Sequence, residues 1–185
     1  MNLPNKLTVI RMFLIPVFVL LMLLSTNANE VDGWRIGAFI IFLGASATDW
    51  FDGYIARRDN LVTNFGKFAD PLADKMLVMS AFIMLVSINQ VPAWIAAIII
   101  CRELAVTGLR TILLEKGQVM AAAKSGKIKT MTQMLAILFL ILNDWPLTFT
   151  DGKIGTALLY AALLATIYSG YEYFSKNWHI FKSSM

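Results

Sequence analysis

The chain has 185 residues, of which 58% are hydrophobic and only 15% charged. A soluble domain of this size carries about 25% charged residues to cover its surface, so the deficit excludes an ordinary soluble fold and makes lipid the solvent for much of the surface. The net charge is +4 with one cysteine, Cys101; no disulfide framework exists within the chain, and the cysteine reads as a small buried apolar residue.

Six apolar stretches are long enough to cross a bilayer as helices, which takes about 20 residues each. In chain order they lie near 7–26, 34–56, 68–89, 91–114, 127–144 and 153–175. Turn-forming runs such as "STNANEVDG", "SINQVP" and "NDWPLTFTDG" separate them. Backbone groups in hydrocarbon must be satisfied internally, so these runs predict helices. No repeat, linker or low-complexity tract divides the chain, which reads as a single membrane domain over 1–185. Trp50, Phe51 and Trp94 read as membrane packing or interface anchors.

The cations fall on one side. Lys6, Arg11, Arg57, Arg58, Lys75, Arg102, Arg110, Lys124, Lys127, Lys129 and Lys176 lie at or toward the same end of the spans, against Arg35 and Lys153 at the other. The positive-inside tendency makes the first end cytoplasmic. The expected fold is therefore all-α, with six transmembrane helices and both termini cytoplasmic, in a cell membrane.

The junction of the second and third spans carries the chemistry. In "TDWFDGYIARRDNLVTNFGKFADPLADK", Asp49 and Asp52 are three apart and share a helix face; Gly66, Asp70 and Asp74 follow at intervals of four and share another. A short loop makes the two helices antiparallel neighbours, so the acidic faces can meet. Four converging carboxylates repel one another, and each is costly near lipid. A divalent cation removes both problems, and all-oxygen ligands suit Mg²⁺ or Mn²⁺. Four carboxylates can hold two ions about 4 Å apart, an arrangement used in phosphoryl chemistry. Gly53, Ala56 and Gly66 leave room for a phosphate or nucleotide to approach the backbone, and Arg57 offers a planar fork to a phosphate. Asp59 falls outside both faces and reads as a solvated loop residue.

A second basic set lies further on. Arg102 and Arg110 are eight apart on the fourth span, with Thr107 between them; Lys127 and Lys129 head the fifth, near Lys124. A phosphate can be held between these two helices by charge-assisted hydrogen bonds. Arg102, deep in an apolar run, needs a partner, and pairing with a carboxylate is the alternative use of its charge.

The positions Asp49, Asp52, Gly53, Ala56, Arg57, Gly66, Asp70 and Asp74, in the spacing D-x2-D-G-x2-A-R-x8-G-x3-D-x3-D, resemble the signature of the CDP-alcohol phosphotransferases without a departure. The resemblance implies an integral membrane enzyme with six helices, usually a homodimer, that uses divalent metal to transfer a group from a CDP-linked donor with release of CMP. It implies that Asp49, Asp52, Asp70 and Asp74 bind metal, with Asp74 also the general base, and that Gly53, Ala56, Arg57 and Gly66 surround the CDP moiety. Asn5 and Thr8 are expected to close the nucleotide site from the first helix. "LPNKLTVIRMFLIPVF" and "CRELAVTGLRTILLEKGQVMAAAKSGKIKTMTQM" are similar to family members that join CDP-diacylglycerol to sn-glycerol 3-phosphate. Arg102, Thr107, Arg110, Lys127 and Lys129 would then hold the acceptor phosphate. Serine, inositol phosphate or phosphatidylglycerol stays open as acceptor. A divalent cation transporter is the reading from another class; it would need carboxylates open to both sides.

Overall fold

The computed structural model of the chain describes residues 3–25, 31–58, 64–115, 124–145 and 153–178, and for 3–4, 49–58, 64–68, 114–115 and 124 it describes the helix path alone. The described residues form six helices and no strand: α1 Leu3–Leu24, α2 Gly33–Arg58, α3 Asn64–Ser87, α4 Ala93–Glu115, α5 Lys124–Ile141 and α6 Lys153–Lys176. The all-helical expectation holds, and each helix overlaps its expected span. α1 packs on α2 and α3, α5 on α6, and α4 on α6.

Periodicity explains the packing. On α1 the buried residues Asn5, Thr8, Arg11, Ile15, Phe18 and Met22 recur every three or four positions, which places them on one face. The first half of that face is polar and the second apolar. Arg35, Ala38, Phe42 and Ala45 repeat the spacing on α2, and Phe18 meets Phe42 with ring centroids 5.8 Å apart. Leu77, Ala81 and Leu85 of α3, Ile95 and Ile99 of α4, Ile137 of α5 and Leu159 of α6 complete the core. The opposite faces stay apolar, with Phe13, Leu20, Leu23, Ile40 and Leu164 exposed, as helices that contact lipid require.

Among the described residues two helices, Asn5–Leu24 and Lys153–Lys176, have apolar windows long enough to cross a membrane, and Gly33–Thr48 is a shorter apolar stretch. The other helices carry charge inside their apolar runs: Asp70, Asp74 and Lys75 on α3, Arg102, Glu103 and Arg110 on α4, and Lys127 and Lys129 on α5. Cys101 differs from expectation. It is exposed, because it lies on the outward face of α4 with Leu104, Ala105 and Gly108.

The α3–α4 and α5–α6 turns meet at one end of the bundle, where Gln90 Nε2 donates to Asn143 Oδ1 at 3.3 Å. Both turns use left-handed residues, Asn89 in one and Asn143 and Asp144 in the other, side-chain types that tolerate this region. Asp144 is buried and caps α6. Its Oδ2 accepts from the Ile154 N–H at 2.9 Å and its Oδ1 from the Gly155 N–H at 2.8 Å. Position 155 must be glycine for this approach, since a Cβ there would sit 2.9 Å from Asp144 Oδ1 and 3.0 Å from Leu140 Cδ2. Asp144→Ala removes the cap and leaves two N–H groups without it, an expected loss of about 1–2 kcal/mol. Thermal unfolding in detergent reads this out; an unchanged midpoint would mean that Asp144 does not secure α6.

Candidate active site

The first turns of α3 present Asp70 and Asp74 one turn apart, and α1 faces them with Thr8 and Arg11. Thr8 Oγ1 donates to Asp70 Oδ1. Arg11 NH1 donates to Asp74 Oδ1 at 2.6 Å, and Arg11 Nε donates to the Ala45 carbonyl at 3.2 Å. Arg11 is wholly buried, whereas the Asp74 side chain is 39% exposed. A buried guanidinium needs such partners, so one side chain ties α1, α2 and α3 together beside the carboxylates. Asn5 and Thr8 lie inside α1 rather than before its start, so they are not helix-start caps; both are buried on the face that holds Arg11.

Asp49, Asp52, Gly53, Ala56 and Arg57 lie on the last turns of α2, and Gly66 on the first turn of α3. Their side-chain positions fall outside the described residues, and so does Asp59. Among the described residues no three His, Cys, Asp or Glu side chains gather. Asp70 and Asp74 supply only oxygen, and that donor chemistry fits a hard divalent cation.

A cavity of about 540 Å³ opens beside Asp74 between α3, α4 and α5. Arg102, Thr107, Arg110, Lys127 and Lys129 all line it; the structure brings the five expected acceptor residues together. Their roles divide. Arg110 and Lys127 are exposed and form no ion pair among the described residues, which leaves their charges available to an anion. Lys129 is buried and its Nζ donates to Glu103 Oε1. Arg102 NH1 donates to the same oxygen at 3.0 Å, and Arg102 NH2 donates to Ser169 Oγ of α6 at 2.7 Å. The Arg102 guanidinium also lies 5.7 Å from the centroid of the Tyr173 ring, within cation–π range. Gly170 makes room for this side chain, since a Cβ there would come 3.2 Å from Arg102 Cγ. Arg102 and Lys129 thus clamp α4, α5 and α6 around Glu103. Thr107 accepts a hydrogen bond from Lys75 Nζ and itself donates to the Glu103 carbonyl at 2.6 Å.

Sequence reasoning missed Arg11 and Lys75 as site residues, counting them only toward sidedness. The signal was available: Arg11 stands three residues after Thr8, on the same helix face, and Lys75 follows Asp74 directly.

The family model for CDP-alcohol phosphatidyltransferase matches residues 1–168. A Bacillus subtilis (strain 168) protein named CDP-diacylglycerol–glycerol-3-phosphate 3-phosphatidyltransferase is 47% identical over 190 residues, covering 99% of this chain and 98% of its own length. Proteins of the same name from Rickettsia typhi and Pseudomonas fluorescens are 41% and 39% identical, covering 94% and 96% of this chain and 95% and 91% of their own.

Proposed function

Because the chain belongs to the CDP-alcohol phosphatidyltransferase family, we propose that it transfers the phosphatidyl group of CDP-diacylglycerol to sn-glycerol 3-phosphate, giving phosphatidylglycerophosphate and CMP. The observation that carries the acceptor assignment is the cavity beside Asp74, whose wall presents Arg110 and Lys127. A dianionic phosphate suits two available cations; serine has less need of them.

The chain's own residues divide the work. Arg110 and Lys127 hold the acceptor phosphate at the cavity wall, and Lys75 with Thr107 braces α3 against α4. Asp74 takes the proton from the 1-hydroxyl. That oxygen attacks the phosphorus bearing diacylglycerol, the bond to the bridging oxygen breaks, and CMP leaves with the electron pair. Arg11 orients the Asp74 carboxylate. Asp49, Asp52, Asp70 and Asp74 would hold one or two divalent ions, which when bound would neutralise the pyrophosphate. Gly53, Ala56, Arg57 and Gly66 would surround the CDP moiety, and Asn5 and Thr8 would close it from α1. Positioning and electrostatics supply most of the rate in phosphoryl transfer.

The charge distribution supports a six-span arrangement in the cell membrane, with both termini and the site at the cytoplasmic face. There the acyl tails stay in the bilayer while cytidine and acceptor enter from water. A homodimer is the proposed assembly, on family resemblance. Release of CMP from CDP-diacylglycerol by purified protein in detergent tests the reaction, with glycerol 3-phosphate, serine, inositol phosphate and phosphatidylglycerol as rival acceptors. The expected result is release that requires glycerol 3-phosphate, stops with EDTA and returns with Mg²⁺ or Mn²⁺. Release driven by serine instead would overturn the acceptor assignment, and metal-independent release would overturn the carboxylate site.

A further inference from the structure

A pocket built for a phosphate has no use for a negative wall, yet Glu103 lines this one together with Lys75, Arg110 and Lys127. Its clamp on Arg102 and Lys129 uses a single oxygen, Oε1, for both bonds. Oε2 accepts no hydrogen bond among the described residues, although the side chain is only 12% exposed. A carboxylate offers about four lone-pair sites, and Oε2 is not among the buried polar atoms left without a partner, so it faces the cavity, where an incoming hydroxyl can reach it. Glu103, Thr107 and Arg110 recur at i, i+4 and i+7, so they share one face of α4. Arg110 and Glu103 therefore bound the same strip of the cavity wall, the first with a positive charge and the second with an acceptor oxygen.

We propose that Glu103 is a specificity-determining residue for the acceptor: its Oε2 receives the hydrogen bond of the hydroxyl next to the one that reacts. This rests on the reaction proposed above. Glycerol 3-phosphate brings two hydroxyl donors. The 1-hydroxyl gives its proton to Asp74, and the phosphate dianion carries no donor. The 2-hydroxyl is the remaining donor, and Glu103 Oε2 is the matching acceptor. Recognition of this kind rejects an acceptor without the second hydroxyl, because that acceptor takes the place of water at Oε2 and returns no donor. It also rejects one with a carbonyl at that carbon, because two acceptors face each other. A site that hydrogen-bonds a substrate hydroxyl discriminates far better than an apolar pocket.

The test compares kcat/KM for sn-glycerol 3-phosphate with that for 3-hydroxypropyl phosphate, which keeps the phosphate and the reacting hydroxyl and lacks the other. For the unsubstituted enzyme the expected preference is about ten- to a hundredfold, the range of one hydrogen bond to a charged group. In Glu103→Gln the amide keeps the volume and loses the charge, and the preference is expected to shrink to about threefold or less. In Ser169→Ala, which loosens the Arg102 end of the clamp, the preference is expected to stay at the unsubstituted value. Equal use of both acceptors by the unsubstituted enzyme overturns the assignment without any variant. So does a Glu103→Gln enzyme that loses rate equally on both acceptors, which would make Glu103 a clamp alone. A preference that collapses equally in Ser169→Ala would likewise move the discrimination to the clamp. No CMP release with either acceptor would sink the proposed reaction itself, and the assignment with it.

Discussion

Asp74→Asn is expected to lower CMP release by at least about 10²–10⁴-fold while the bundle stays folded. The carboxylate has two duties in the proposed reaction, proton removal and metal ligation, and an amide performs neither. The fold has a weaker claim on it. Asp74 is 39% exposed, and its Oδ1 accepts from Arg11; the asparagine carbonyl can accept the same hydrogen bond. The variant therefore separates chemistry from packing. Turnover from CDP-diacylglycerol and the thermal midpoint in detergent are read on the same preparation, and the midpoint is expected within a few degrees of the unsubstituted protein. Turnover near the original rate would remove Asp74 from the mechanism. A collapsed midpoint would make the carboxylate a structural element first.

The second large effect belongs to Arg11. Arg11→Met is expected to lower kcat by about 10²-fold, the scale of a displaced catalytic group, and to destabilise the protein by about 1–3 kcal/mol. The bonds lost include one to Asp74 on α3 and one to the Ala45 carbonyl on α2. The methionine fills the volume, so the loss reflects hydrogen bonding and charge rather than a cavity. The cost stays below that of breaking a fully buried pair because Asp74 remains partly in water. The KM for glycerol 3-phosphate is expected to change little, since Arg110 and Lys127 sit on other helices. A variant with raised KM and unchanged kcat would contradict the orienting role. Arg11→Lys, which reaches one partner instead of two, is expected to fall between.

The helices were legible because apolar runs broken by turn residues leave few alternatives. Their ends were less so. The fifth helix stops at Ile141 rather than near 144 because Asn143 and Asp144 turn left-handed, and the use of Asp144 as a cap for α6 depends on a residue 11 positions away. α1 begins at Leu3, four residues before the apolar run that marked it; the early turns are polar because they face Asp70 and Asp74, and a hydropathy reading cannot see that. In the site, the aspartates were legible from spacing alone, since three- and four-residue intervals fix a helix face. The cations were harder. Arg11 and Arg110 look alike in sequence, yet one is buried against a carboxylate and the other is open to the cavity. Which cation is spent inside the protein and which is left for a ligand depends on partners from distant helices. The need of Arg102 for a partner was legible; that Glu103 also takes a bond from Lys129, 26 residues away, was not.

The bond between Arg11 and Asp74 also imposes an order on biogenesis. The two residues are 63 positions apart, so a ribosome adding about 5–20 residues per second makes the arginine roughly 3–13 s before its partner exists. For that interval the nascent first helix carries a charge whose final counter-ion has not been synthesised. The arginine stem is long enough to reach toward the headgroups, and Arg11 stands six positions after Asn5, in the polar turns that open the helix. In the proposed membrane arrangement the first helix would therefore begin shallow, with its cation at the lipid headgroups. Pairing with Asp74 would then draw it into place, so the contact that ties the first helix to the third would also set the first helix's final depth.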